Sequence, residues 1–376
     1  MPLQIGNQAR YLAIIALPAV LLAVLAIAIG QPAFSQPMPV MNAYEISHVE
    51  VDVTASTAAI ARDIAVRQGQ RKALEILLER LTIEEDRLRI PTLDDTSVAA
   101  LVLSIQFENE RYSSTRYISK LTINFNQEGV RRLLDISGAT FSETMARAIL
   151  VLPSYQNSGL SFDWEEADNW LDIWREADWR SSLVPFILPE DGQAVAPVVQ
   201  GGADEETLAY NTQLLADLYG TSETLVVTAR DSIDLFTGAP RVEVTTIRRG
   251  VDEKLVKDYV FAQGDSEEPE AFLTRITQAI GQEISHDWKS QTLISLDQMA
   301  TLQAEVSIST LADWVQMKDQ LQQVPVVKDV LLNEISISKA VLTLNYLGTQ
   351  AQLSATLRQY GIGMESTEQH WKLLFQ

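Results

Sequence analysis

Three histidines, a complete lack of cysteine and one run of tryptophans among acids are the features of this sequence that invite a chemical reading. Hydrolysis would need a nucleophile beside a base, or a paired acid and base. His48 falls on the polar side of a predicted strand, His286 stands beside Asp287 near the end of a predicted helix, and His370 precedes the last strand. Each reads as a surface histidine. Ser154, in Leu-Pro-Ser-Tyr, lacks the Gly-x-Ser-x-Gly turn that exposes a nucleophile. No His-Glu-x-x-His or comparable spacing offers a metal site. Without cysteine there is no thiol nucleophile, thiolate ligand, disulfide or lipid-bearing thiol. The sequence therefore assigns no catalytic residue, no cofactor-binding residue, no cofactor and no metal ligand.

The run from Asp163 to Trp179 holds four of the seven tryptophans, Trp164, Trp170, Trp174 and Trp179. As a binding surface, these rings would stack on a glycan ring or a partner's side chain, with carboxylates accepting hydrogen bonds. Helix geometry gives another reading. Trp170 and Trp174 are four apart, share a face with Ile173, and would fill a core while the acids face water. Two acids of this run could form a glycosidase pair only by facing each other across a cleft roughly 5 to 10 Å wide. Gly201-Gly202 lacks the lysine and the strand-to-helix setting of a phosphate loop and reads as a surface connection. Asp265-Ser-Glu-Glu268 puts negative charge ahead of a helix starting near Pro269, where the positive helix end favours it.

These side chains belong to a chain whose first thirty-five residues set its compartment. Arg10 precedes an apolar run, Tyr11 to Ile29, and Ala33-Phe34-Ser35 follows as an A-x-S cleavage pattern. Residues 1–35 are expected to be a signal peptide, with Gly30, Pro32 and Pro37 ending its helix and Gln36 opening the mature chain. The run approaches the roughly 20 residues that cross a bilayer, so an uncleaved inner-membrane anchor facing the periplasm is the alternative. Only this segment is expected to touch the membrane. The 29 Lys+Arg against 50 Asp+Glu give a formal charge of −21, which would repel nucleic acid.

After a linker, 36–43, the pattern predicts three folded segments of mixed α/β and α+β class. In 44–140, an α+β unit, Val49, Val51 and Val53 alternate as a half-buried strand. A long helix follows with Ile60, Ile64, Ala73, Leu74, Leu77, Leu78 and Leu81 in its stripe. Val98, Leu101, Val102 and Ile105 suggest a second amphipathic stretch, Tyr117–Phe125 a strand, and Gln127–Ile136 a helix stopped near Gly138. In 147–290, a mixed α/β sandwich, Ala148–Leu152 reads as a strand buried on both faces. Helix 163–179, strand 183–188, helix 204–219, three strands (224–235, 241–249, 254–262) and a helix from Pro269 complete it. In 303–376, strand, helix, two strands, helix and a last strand with Trp371, Leu373 and Phe375 spell β-α-β-β-α-β, a ferredoxin-like order.

The strand Val49–Val53, the helix with Arg67-Gln-Gly-Gln-Arg-Lys-Ala-Leu74 and Leu78-Glu-Arg-Leu81, the pair Leu121–Phe125 and Leu133-Leu134, and Ala148–Leu152 together resemble the exported proteobacterial domain of unknown function numbered 2066, over roughly residues 44 to 290. That resemblance implies an envelope protein and brings no catalytic residue. In element order the middle segment is also similar to the amino-terminal domain of the Tol-Pal propeller protein and to lipoprotein activators of peptidoglycan synthases. The expected function is a non-enzymatic periplasmic protein that binds or assembles envelope proteins. Its competitor is an envelope glycan hydrolase using acids of the tryptophan-rich run.

Overall fold

Tyr44 and Ile46 are buried at even positions, whereas Val49, Val51 and Val53 are buried at odd ones. A bulge in strand β1 (Glu45–Thr54) reconciles them: Ser47 and His48 oppose one residue of the partner strand, between the pairs Ile46↔Ile123 and Val49↔Leu121, and His48 adopts φ 55°. The extra residue turns every later side chain over, so both halves of the strand face one core. The computed structural model describes residues 42–156, 170–190, 204–250, 254–294, 299–366 and 371–375. The expected signal peptide, most of the linker, Trp164, Gly201-Gly202 and His370 lie outside the described residues.

The first sheet has the order β1-β3-β2, with β2 Val102–Tyr112 and β3 Arg116–Phe125, all antiparallel. Helix α1 (Ala58–Leu81) starts where the Thr57 hydroxyl accepts from the Ile60 N–H, and covers the sheet with Ala61, Ala65, Ala73, Leu74, Leu77 and Leu81. Gly69 lets it settle closely, since a Cβ there would stand 2.4 Å from Leu121 Cδ1. Ile60, expected in the buried stripe, is exposed instead. The short α2 (Glu84–Arg87) and α3 (Asp95–Leu101) follow, the latter capped by Asp94. Val102 and Ile105 do not continue α3. They pair with Phe125 and Ile123 in β2, because the backbone there completes a sheet edge whatever its helical spacing. Helix α4 (Gln127–Ile136) is capped by Asn126 and followed by Gly138 at φ 63°.

The second sheet runs β5-β4-β6-β7-β8: β4 Ile149–Gln156, β5 Phe186–Ile187, β6 Glu223–Ile233, β7 Pro240–Arg249 and β8 Lys254–Ala262. β4, flanked on both sides, is parallel to β5 and β6, and the remaining pairs are antiparallel. The strand expected over 183–188 shrinks to two residues; Leu183 and Val184 bury themselves in the core outside the ladder. Helices α5 (Trp170–Glu176) and α7 (Pro269–Thr292) pack on one face. Helix α6 (Glu205–Leu218) covers Leu150, Leu152 and Val226 on the other through Leu215, with Tyr219 beside it.

The third sheet is β10-β11-β9-β13-β12, backed by helices α8 (Leu311–Gln323) and α9 (Gln350–Gln359), both with capping boxes, from Thr310 and Thr349. Its strands are β9 Met299–Ser307, β10 Val327–Ile335, β11 Lys339–Leu347, β12 Ile362–Ser366 and β13 Trp371–Phe375. It has one strand more than the sequence pattern suggested. Ile362–Ser366 follows Gly361 directly and pairs antiparallel with β13, which itself runs parallel to β9 with Leu373 opposite Val306. The element order is thus β-α-β-β-α-β-β.

Each of the three segments supplies one sheet, and one continuous apolar core runs through them all. The connection after α4 is buried: Phe141 bridges Ile294, the Ser142 and Thr292 hydroxyls meet at 2.6 Å, and Trp288 Nε1 donates to the Thr144 carbonyl at 2.7 Å. The described residues from Asn42 onward form one compact mixed α/β unit.

Candidate functional site

Trp170 and Trp174 lie in the core, 2% and 0% exposed, edge-to-face at 6.3 Å, with Ile173 buried beside them. Trp179 is half-buried, stacked on Trp174 at 5.5 Å and packed edge-on against Phe186 at 4.8 Å. The rings of Trp170 and Trp174 thus face neighbours and offer no open platform; the helix-face geometry accounts for both. His48 is exposed, 3.8 Å from Glu108, and His286 is exposed on α7. Ser154 is buried in β4. Among the described residues, no group of three histidine or acid side chains is placed to hold a metal ion. Among the described residues, where neighbours move a carboxyl group they move it down; the acids of the run before Trp170 lie outside them. Asp178 is lowered by its bond from Arg180, and Glu267 is lowered to about 2 by its bond from Arg275.

A buried polar junction joins residues far apart in sequence. The Tyr44 hydroxyl donates to Glu143 Oε2 at 2.5 Å, Arg131 Nε donates to the same oxygen at 3.0 Å, and Arg131 Nη2 pairs with Oε1. Gln127 Nε2 adds a bond at 3.3 Å. Burial first, then the charge of Glu143, pushes the Tyr44 phenol up, so it stays a neutral donor. Burial pulls the Arg131 guanidinium down, but the bonds and charge of Glu143 outweigh it and the net movement is upward. Both Glu143 oxygens are spent on protein partners. The arrangement clamps α4 to the chain before β1 and offers nothing to a substrate.

Two more buried cations bind backbone. Arg80 donates from Nε to the Arg180 carbonyl at 2.7 Å and from Nη1 to the Ala43 and Glu45 carbonyls at 2.9 and 2.8 Å. Burial lowers it to about 10. Lys289 Nζ donates to the Glu79 and Thr82 carbonyls at 2.9 and 3.0 Å, a cation at the negative end of α1, and burial lowers it too. No sequence spacing signals these contacts, because their partners are carbonyls that any residue carries.

Among the described residues, the turn between β6 and β7 carries the most exposed large apolar side chain, Phe236, with Leu235 beside it. Leu235 and Phe236 are 89% and 100% exposed. The turn beneath them is firmly built. Asp234 Oδ1 accepts from the N–H groups of Phe236 at 2.7 Å and Thr237 at 2.9 Å, Oδ2 pairs with Arg241, and the Asp234 N–H reaches the Ala239 carbonyl at 2.8 Å. Those two backbone donors hold the Asp234 carboxyl below the usual carboxylate range. Gly238, at φ 71°, closes the loop. Beside its base, where Gln263 N–H bonds the Pro240 carbonyl, begins the loop bearing exposed Asp265 and Glu268. The alternation in the sequence carries the strand on to 235, but β6 stops at Ile233 and Leu235 stands with Phe236 in the turn, where polar side chains are usual.

No family model matches the chain, and no curated protein matches it. Among solved structures it is similar to the lipoprotein GNA1162 from Neisseria meningitidis, at 12% identity and a TM-score of 0.25 over 37% of this chain and 99% of that one. It is similar to the PelC dodecamer from Paraburkholderia phytofirmans, at 12% identity and a TM-score of 0.21 over 38% and 91%. A third, an uncharacterized protein, gives 12% and 0.20 over 39% and 94%. Likenesses at these scores carry no argument about what this chain does.

Proposed function

We propose that the chain is a non-enzymatic envelope protein that binds another protein, with the β6–β7 turn as its principal contact. The observation that carries this reading is the rigid turn that holds Leu235 and Phe236 fully in water. Keeping such side chains exposed forgoes roughly 1.5 to 3 kcal/mol of burial each, which a partner's pocket would recover. Because the backbone is already fixed, little ordering entropy opposes the contact, a property of binding hot spots. The acidic loop that begins beside the base of the turn suits a partner with a basic rim around an apolar pocket and disfavours an anionic lipid surface.

The periplasm is the proposed location, reached by the leader of residues 1–35 or with that leader kept as an inner-membrane anchor. The family resemblance over residues 44 to 290 supports an envelope role. We read the carboxy-terminal unit as a variant of the ferredoxin-like element order in which β12 takes the sheet edge and β13 lies beside β9, parallel to it. Capture from envelope extracts with the wild-type chain and with a Leu235→Ser/Phe236→Ser variant tests the function. A discrete partner held by the first and lost by the second is expected; equal recovery by both would remove the turn from the account.

A further inference from the structure

Five of the six sheet edges among the described residues are blunted. β1 carries the His48 bulge, β2 has register shifts on both sides of its centre, and β10 has two as well. β5 is two residues long and β12 five. Bulges and shortness are the ordinary means by which a sheet avoids pairing with another chain. The outer edge of β8 has neither. Its nine residues pair with β7 without a single shift, from Arg241↔Ala262 to Arg249↔Lys254.

The side chains on this edge leave the backbone open. Lys257 is drawn onto α7 by Glu283 at 2.7 Å and Asp287 at 2.9 Å, and Lys254 is drawn toward Glu205. Leu255, Val256 and Val260 are 48%, 47% and 63% exposed. Gln263 N–H bonds the Pro240 carbonyl, so by antiparallel alternation the odd residues of β8 face β7 and the even ones face outward. The Ala262 carbonyl obeys this, since it faces away from β7 and takes a bond from Arg275 Nη2 at 2.9 Å. Lys254, Val256, Asp258 and Val260 thus present their N–H and C=O groups outward, and no described strand receives them.

We propose that β8 pairs antiparallel with β8 of a second copy of this chain, about a two-fold axis through Val256. Charge decides the register. With the axis at Val256, Lys254 of each copy stands opposite Asp258 of the other, so two opposite-charge pairs flank a valine pair. Shifting the axis to Asp258 sets two like charges directly opposite each other and uses the Ala262 carbonyl already held by Arg275. The two second sheets then join into one of twice the width, through a contact small enough to be reversible. This self-pairing is separate from the turn contact: the failure of either leaves the other standing.

The absence of native cysteine makes the test clean. Across the proposed axis the two Val256 Cα atoms would sit about 5.5 Å apart, within disulfide reach. In the full chain, Val256→Cys is expected to yield a covalent dimer on mild oxidation, and Asp258→Cys none. Sedimentation velocity of the wild type should show a concentration-dependent dimer. Val256→Pro, which removes only an outward N–H, should weaken that dimer about tenfold or more with the melting curve unchanged. Val256→Lys gives the same loss should the proline unfold the strand. A strictly monomeric wild type, a dimer indifferent to both variants, or cross-linking through position 258 in place of 256 would overturn the proposal.

Discussion

The Asp234 carboxylate accepts a hydrogen bond from the N–H of Phe236 at 2.7 Å, although the Phe236 side chain touches no described neighbour closely enough to lose exposure. A well-anchored backbone thus carries an unanchored ring. Asp234→Ala should loosen the turn, with amide exchange at Phe236 and Thr237 rising about tenfold. Phe236→Ser should leave stability within about 0.5 kcal/mol of wild type in urea unfolding, because an exposed side chain contributes little to the fold.

Glu143 and Arg131 form a buried pair, with side chains 1% and 11% exposed. Glu143→Gln leaves the guanidinium only the exposed Glu128 carboxylate, 3.1 Å from Nη1, as a charged partner, so unfolding should show a loss of about 2 to 3 kcal/mol, more than an exposed ion pair would give. Arg116→Gln, which breaks an exposed pair with Asp52, is the comparison and should change the same midpoint little.

Gly281 faces Trp179 so closely that a Cβ would stand 2.1 Å from Cζ3. The ring cannot swing aside freely, being stacked on Trp174 and packed against Phe186. Gly281→Ala should therefore cost about 1 to 3 kcal/mol, with tryptophan fluorescence shifting to the red as Trp179 meets water.

Much of this architecture is written locally. Thr57, Asp204, Thr310 and Thr349 cap helices that their sequences announce, and Gly220 and Gly361 stop two of them at φ 66° and 73°. What was not legible depends on distant partners. Val98, Leu101, Val102 and Ile105 keep helical spacing, yet β3 recruits the last two into a ladder. Ile362–Ser366 is too short for alternation to register, and only its pairing with β13 makes it a strand. Tyr44 and Glu143 stand 99 positions apart, so no motif could join them. Of the tryptophan run, helix spacing places Trp170 and Trp174 in the core, whereas Leu235 reads as the end of an alternating strand and stands instead in the turn with Phe236, because β6 stops at Ile233.

Glu267 ties the loop before α7 through a bond from Arg275 and one from the Gly264 N–H at 2.9 Å. Its folded pKa of about 2 lies below that of an unfolded glutamate. The stabilisation is therefore present above the unfolded value of roughly 4.3 and is lost as pH falls through about 2. Carboxyl carbon NMR should find that low midpoint in the wild type and a rise toward the ordinary value in Arg275→Gln.

Placing a photoreactive phenylalanine analogue at position 236 of the full chain and illuminating living cells tests the protein-binding role most directly. A single adduct of defined mass with an envelope protein, abolished when Asp234→Ala frees the turn, is the outcome expected. Adducts with lipid alone, or none at all from a folded and exported chain, would contradict it.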